Sequence, residues 1–116
     1  MKNLNTQKGK QGEELACNYL LKNGYKIITR NYKTKFAEID IIAYKAKIIS
    51  FVEVKSRSSV DYGRGYEAVD NRKMNKIRTN ANYYLCTSDV DYEGLSFDII
   101  EVDLKSGAVN HIVSAF

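Results

Sequence analysis

The 116-residue sequence contains no proline, only two cysteines and a single histidine. Cys17 and Cys86 are too few for a disulfide scaffold, and no Cys/His cluster has zinc-site spacing. We therefore expect reduced cysteines, as in a cytoplasmic protein. The longest apolar runs, Ile41–Tyr44 and Ile48–Val52, are far shorter than the ~20 residues of a spanning helix. The polar first 14 residues also lack the apolar stretch of a signal peptide, so we expect no membrane association.

The remaining composition is that of an ordinary globular protein, with 44% hydrophobic and 28% charged residues. There is no internal repeat or low-complexity segment, and the length suits one domain spanning residues 1–116. Charge is unevenly distributed along the chain. Residues 1–57 hold 12 basic and five acidic residues, whereas residues 58–116 hold six basic and nine acidic. A basic surface on one side of a small domain suggests a polyanionic partner, nucleic acid before membrane.

Hydrophobic periodicity predicts the order α-β-β-β-α-β, followed by a short fifth strand. The predicted helices cover residues 6–23 and 70–86, and the predicted strands cover 25–30, 36–44, 47–56, 95–104 and 108–113. We expect a turn at 31–35, an N-cap at Asp70, and Asn80 away from the apolar face of its helix. Short connections favour antiparallel pairing of the first three strands, and the intervening helix favours a parallel third and fourth. This is an α/β fold with a mixed central sheet flanked by helices.

Charged residues inside apolar strands are the informative anomaly of this sequence. Asp40 lies between two isoleucines, and Glu53 lies between two valines. Because strand side chains alternate, Glu53 and Lys55 project from the same face. If the second and third strands form a hairpin, Asp40 reaches the same region. A surface ion pair between Glu53 and Lys55 is the simpler alternative.

The first helix supplies a further carboxylate. At 100° per residue, Glu13 borders the stripe that contains Ala16 and Leu20, whereas Glu14 points to solvent. Clustered carboxylates repel one another unless a cation neutralises them, and hard oxygen ligands suit Mg²⁺ or Mn²⁺. A metal held by Asp40 and Glu53 would activate water against a phosphodiester, and Lys55 would stabilise the developing charge.

Several basic and aromatic residues are candidates for nucleic-acid contact. Arg57, Tyr62 and Arg64 belong to or border a Gly- and Ser-rich loop that suits phosphate contact and base stacking, or is merely a flexible loop. Lys73 and Lys76 on the second helix are candidates for phosphate contact, with a solvated surface as the alternative.

Two residues and one segment fit functions other than catalysis. We expect a structural hydrogen-bonding role for Asp98, inside the fourth strand, and a surface or structural role for the single histidine, His111. The segment 89–103 carries six acidic residues and no basic one, which would also suit contact with a basic partner.

Three short motifs contain the residues proposed for chemistry. They are Gly9-x-x-Gly12-Glu13-x-x-Ala16, Glu38-Ile39-Asp40-Ile41-Ile42-Ala43 and Phe51-Val52-Glu53-Val54-Lys55-Ser56-Arg57. Together they resemble the YraN-like family of small bacterial proteins, which is similar to archaeal Holliday-junction resolvases and to the PD-(D/E)xK nuclease superfamily. The resemblance covers roughly residues 8–102. One departure is Ala37, where the family usually has glycine.

The resemblance implies a restriction-endonuclease-like core and a metal-dependent endonuclease acting on DNA, which includes branched or structured DNA. Asp40, Glu53 and Lys55 match the superfamily's metal-binding and catalytic motif, and Glu13 matches the helix glutamate of the resolvases. DNA is expected in preference to RNA, and a homodimer is expected by analogy. The alternative is a non-catalytic nucleic-acid-binding module on the same fold.

Overall fold

The computed structural model describes residues 2–57 and 70–116, with side chains described from Gly9 onward. In chain order the elements are α1 (Lys2–Lys22), β1 (Lys26–Lys33), β2 (Glu38–Lys45), β3 (Ile48–Arg57), α2 (Asn71–Thr87), β4 (Gly94–Asp103) and β5 (Val109–Ile112). In these ranges, no helix is both long and apolar enough to cross a membrane. The predictions made for Tyr62 and Arg64 lie outside the described residues.

The five strands form one mixed sheet in the order β1-β2-β3-β4-β5. Neighbouring strands are antiparallel except β3 and β4, which are parallel and are connected through α2. The α/β class, the hairpins and the parallel pair are therefore confirmed. The strands β2 and β3, both rich in isoleucine and valine, lie inside the sheet, as their composition predicts.

The sheet is buried on both faces, one beneath each helix. Ala16 and Leu20 of α1 pack in one apolar cluster with residues that include Val52. Ile77 of α2 packs in a second cluster with residues that include Phe51. Because Phe51 and Val52 are consecutive in β3, their side chains point to opposite faces of the sheet. The helices therefore cover the two faces, and both cores hold the central strands in position.

The predicted turn at residues 31–35 is wrong, because β1 continues to Lys33. Tyr32 pairs with Ile39, while Asn31 adopts the left-handed backbone region (φ 54°), which asparagine tolerates better than most residues. The reversal lies at Thr34–Ala37, where the Thr34 N–H donates to the Ala37 carbonyl at 3.0 Å. The second strand consequently begins at residue 38 and not at 36.

The predicted placement of Asn80 is also wrong, because its side chain is completely buried. Its Nδ2 donates to the Ala37 carbonyl at 2.6 Å, and its Oδ1 contacts the Thr34 hydroxyl. A buried amide is stable when its polar atoms are bonded, and the β1–β2 turn supplies those partners. The start of the same helix agrees with the sequence, since Asp70 accepts from the Lys73 backbone N–H at 2.9 Å.

The acidic segment 89–103 is only partly available to a partner, because Asp98, Glu101 and Asp103 are buried. Asp98 accepts from the Ser114 N–H at 3.1 Å, and its Oδ2 lies 2.7 Å from His111 Nε2. These contacts tie β5 to β4. Both Asp98 and His111 thus have structural roles, as the sequence suggested. Because three of the six acidic residues in this segment are buried, only the other three are available to bind a partner.

Gly12 allows α1 to pack closely against β3. A methyl group at this position would overlap the Ser56 hydroxyl and lie 3.3 Å from Ser56 Cβ. Gly9, one turn earlier in the same helix, would place a methyl group with nothing within 4 Å. The two glycines therefore have different roles, although both are residues of low helix propensity inside α1.

We expect Gly12→Ala to lower the free energy of unfolding by about 1–3 kcal/mol, because overpacking at Ser56 outweighs the gain in helix propensity. Gly9→Ala is the matched control and should be neutral or stabilising by up to about 1 kcal/mol. Urea denaturation of both variants measures the difference. Equal stabilisation by the two substitutions would contradict this description of the helix–sheet contact.

Candidate functional site

A cleft of about 630 Å³ contains the residues that the sequence singled out for chemistry. Its lining comes from α1, the β1–β2 turn, β2, β3 and the beginning of α2. The four residues proposed for catalysis all line it: Glu13, Asp40, Glu53 and Lys55. Two of the candidates for nucleic-acid contact, Lys73 and Lys76, line it as well. The fold thus gathers residues separated by more than 60 positions in the chain.

Asp40 and Glu53 form the central pair of the cleft. The Val54 backbone N–H donates to Asp40 Oδ2 at 2.8 Å, which fixes the aspartate of β2 against β3. The antiparallel pairing of Ile41 with Val52 also sets Asp40 opposite Glu53, and both side chains line the cleft. The two strands therefore bring two acidic side chains next to each other in the cleft.

Burial and the neighbouring Glu53 change the acidity of Asp40. Burial raises the pKa of its carboxyl group to about 8, and repulsion from Glu53 adds to the effect. The hydrogen bond from Val54 opposes the rise without cancelling it. In the absence of a cation, Asp40 therefore holds a proton at neutral pH. Two neighbouring carboxyl groups that repel each other when both are ionised are a favourable place for a cation.

Two lysines neutralise Glu53, whose side chain is only 4% exposed. Lys55 Nζ lies 3.6 Å from Glu53 Oε2, and Lys73 Nζ forms a second ion pair with the same oxygen. Burial and the nearby Lys73 lower the pKa of Lys55. Burial also opposes the charged form of Lys73, but hydrogen bonding and attraction to Glu53 outweigh it and raise its pKa.

Glu13 approaches the cleft from α1. Its side chain is 16% exposed, against 61% for Glu14, as the helical wheel indicates. Arg30 and Asn31 of β1 contact its carboxylate, with Arg30 Nη2 at 3.8 Å from Oε1. Burial is the main cause of a raised pKa at Glu13, and Glu53 contributes a smaller repulsion. The third carboxylate is therefore held partly by β1.

The donor atoms fit a hard divalent cation that retains bound water. Among residues 2–57 and 70–116, no three Asp, Glu, His or Cys side chains form a group that could hold a metal. Mg²⁺ commonly keeps several waters and is bound by one or two carboxylates together with substrate phosphates, and Asp40 and Glu53 offer donors of that kind. Glu13 faces the same cleft without joining that pair in one ligand group.

The basic candidates occupy different positions. Lys76 and Arg72 are exposed on α2 at the cleft, where a phosphate backbone could reach them. Arg57 lies at the end of β3 with its Nε 3.5 Å from the buried Glu101, and its side chain is 25% exposed. This partner already neutralises part of its charge, and phosphate contact by Arg57 stays a prediction.

Sequence reasoning missed three features of the cleft. It did not foresee the ion pair between Lys73 and Glu53, the anchoring of the β1–β2 turn by Asn80, or Phe36 in the lining. A signal existed for the first two, because residues 73, 76, 77 and 80 share one face of a helix and Ile77 is apolar. No sequence pattern indicates that Phe36 lines the cleft, since hydrophobic alternation predicts it at the start of a strand.

Comparison with known proteins identifies the family. The model of the uncharacterised protein family UPF0102 matches residues 12–102. The chain belongs to this family, and the resemblance to the YraN-like family is thereby confirmed. A UPF0102 protein of Clostridioides difficile is 46% identical over 112 residues, which is 97% of this chain and 98% of the relative. Another, from Caldanaerobacter subterraneus, is 46% identical over 93% of both chains.

The raised pKa of Asp40 predicts a pH-dependent stability in the absence of metal. Between the ordinary aspartate pKa and about 8, the folded protein binds a proton that the unfolded chain lacks, so stability falls as pH rises through this range. Asp40→Asn keeps an acceptor for the Val54 N–H and removes the titration. We expect the variant to gain about 1–3 kcal/mol relative to wild type at the alkaline end.

Urea denaturation with EDTA, from about pH 5 to about pH 9, measures this difference. Asp91→Asn is the matched control, because Asp91 is 84% exposed and contacts only Lys47 through its side chain in the described structure. Parallel pH profiles for wild type and Asp40→Asn would contradict the proposed environment of Asp40.

Proposed function

We propose that this protein is a divalent-metal-dependent endonuclease that hydrolyses phosphodiester bonds in DNA, on a restriction-endonuclease-like core. The observation that carries the proposal is that Asp40 and Glu53 lie opposite each other on neighbouring strands and line one cleft, with Lys55 3.6 Å from Glu53. An acidic pair next to a half-buried lysine is suited to bind a metal and to act on a phosphate. The motif resemblance of the same three residues to the PD-(D/E)xK superfamily supports the same function.

The residues of the cleft have distinct proposed roles. Asp40 and Glu53 would hold Mg²⁺ or Mn²⁺, which when bound would polarise the phosphate and lower the pKa of a coordinated water. Lys55, whose pKa is lowered by burial, would orient the attacking water and stabilise the charge that develops on the phosphate. Glu13 would contribute a further negative group to the cation site, from the α1 side.

DNA binding would use the basic beginning of α2. Arg72, Lys73 and Lys76 lie on or near the cleft wall, within one and a half turns of the helix. Cations at this spacing can follow a phosphate backbone past the carboxylates, which gives affinity without base specificity. The net charge of +4 favours the same class of partner.

A second candidate is a nucleic-acid-binding module without catalysis. The ion pair between Lys73 and Glu53 favours it, because an ammonium group at this oxygen competes with a metal ion. Such a module would bind DNA with a strong salt dependence and would not cut it.

A cleavage assay separates the two candidates. Labelled single-stranded, duplex, flap and four-way-junction DNA, together with RNA, would be incubated with Mg²⁺, Mn²⁺ or EDTA. We expect metal-dependent cutting of DNA by wild type and at least a 100-fold loss in Asp40→Asn, since one ligand of the cation is replaced.

Asp91→Asn provides the control, because it removes a carboxylate from an exposed position that is not part of the cleft lining. It should cut like wild type. Binding without cutting, equal in wild type and Asp40→Asn, would contradict the nuclease and leave the binding module. Cleavage of RNA but not of DNA would show that the substrate is RNA.

A further inference from the structure

The β1–β2 turn places an aromatic ring at the cleft. Phe36 lines the cleft together with the carboxylates, and it is 44% exposed. One exposed apolar side chain needs no functional explanation by itself. This ring differs from an ordinary surface residue because the backbone on both sides of it is held by a buried polar group.

That buried group is Asn80 of α2. Its side chain has no exposed surface, and it bonds the Ala37 carbonyl on one side of Phe36 and the Thr34 hydroxyl on the other. The Thr34 hydroxyl also accepts from the Phe36 N–H at 3.1 Å. The turn is therefore fixed by polar contacts, while the ring that it carries stays open to solvent. A preorganised ring loses little conformational entropy when it stacks on a ligand.

The surroundings of the ring carry positive charge. Lys35 Nζ lies 5.4 Å from the Phe36 ring centroid. Lys73, Lys76 and Asn80 fall on one face of α2, so the residue that anchors the turn continues the row of lysines in the cleft. An exposed ring beside a row of cations is the combination with which proteins bind single-stranded nucleic acid.

We propose that Phe36 stacks on an unpaired base of the DNA strand that lies on the carboxylates, so that DNA with unpaired nucleotides is the preferred substrate. The proposal rests on the proposed function for the path of the strand. Phe36 precedes Asp40 by four residues, so their Cα atoms are at most roughly 14 Å apart even if the chain between them is fully extended. Since a stacked strand advances about 3.4 Å per nucleotide, the base lies within about four nucleotides of the scissile phosphate.

A paired base cannot serve in this way, because both of its faces are covered by neighbours in the duplex. Stacking on Phe36 therefore requires a nucleotide that is already unpaired or is released at low cost. Stacking on Phe36 would thus favour unpaired nucleotides, whereas the phosphate contacts on α2 would bind paired and unpaired strands equally.

Fluorescence anisotropy with EDTA tests the proposal without cleavage, using a labelled single-stranded oligonucleotide and the duplex of the same sequence. We expect Phe36→Ala to weaken binding of the single strand by about 5- to 150-fold and to change duplex binding far less. Phe36→Tyr should bind like wild type, because it retains an aromatic face.

Tyr83→Ala is the matched control. Tyr83 is 53% exposed on α2 and is not among the residues that line the cleft, so its removal should leave both affinities unchanged. Thermal melting of each variant verifies that the fold is retained. Because Phe36 is itself exposed, loss of its ring should not prevent folding.

The outcomes for the ring and for the nuclease are distinguishable. Unchanged single-strand binding in Phe36→Ala, or an equal loss on both probes, overturns the stacking role even if wild type cuts DNA. Single-strand binding that depends on the ring, without any cleavage, supports the stacking role and contradicts the nuclease. A wild-type protein that binds neither probe in EDTA contradicts the stacking role, and the cleavage assay with Mg²⁺ or Mn²⁺ then decides separately on the nuclease.

Discussion

Burial of two carboxyl groups side by side is the constraint on which the rest of this structure depends. Asp40 and Glu53 meet because β2 and β3 pair as neighbours in the sheet, and both side chains lose most of their contact with water. Such a pair is unfavourable unless something neutralises it. The surrounding protein supplies a backbone N–H from Val54 and the ammonium groups of Lys55 and Lys73. Each of these groups is held by a strand or helix packed into the core.

The opposing charges give the cleft its chemical character. Lysines stabilise Glu53, but the pKa of Asp40 still rises because burial and repulsion exceed the effect of its one backbone bond. The ionised form of Asp40 thus still lacks enough compensating positive charge, although Glu53 has two lysines beside it. A divalent ion would supply that charge. The buried acidic residues lower the stability of the folded protein when no cation is present, and the same residues could bind a metal ion. The basic beginning of α2 then extends the site toward a polyanion.

Much of the fold and of the site follows from local patterns in the sequence. Alternation in the strands placed Glu53 and Lys55 on one face, and the helical wheel distinguished Glu13 from Glu14. The α/β class follows from element order and connection length. What local patterns could not supply is contact between distant segments. The hydrogen bond between Asn80 and Ala37 in the β1–β2 turn joins residues 43 positions apart. It explains why Asn80 is buried, although its polarity alone predicts a position away from the apolar face of the helix.

The central claim, that Asp40 and Glu53 bind a divalent cation, is tested most directly by titrating Mn²⁺ into the protein by isothermal titration calorimetry. Glu53→Gln removes one charge from the pair, and Asp91→Asn removes one from an exposed site as the control. We predict saturable binding in wild type and in the control, and its loss in Glu53→Gln. Wild-type protein that shows no saturable binding at millimolar Mn²⁺, or Glu53→Gln that binds as wild type does, would contradict the claim.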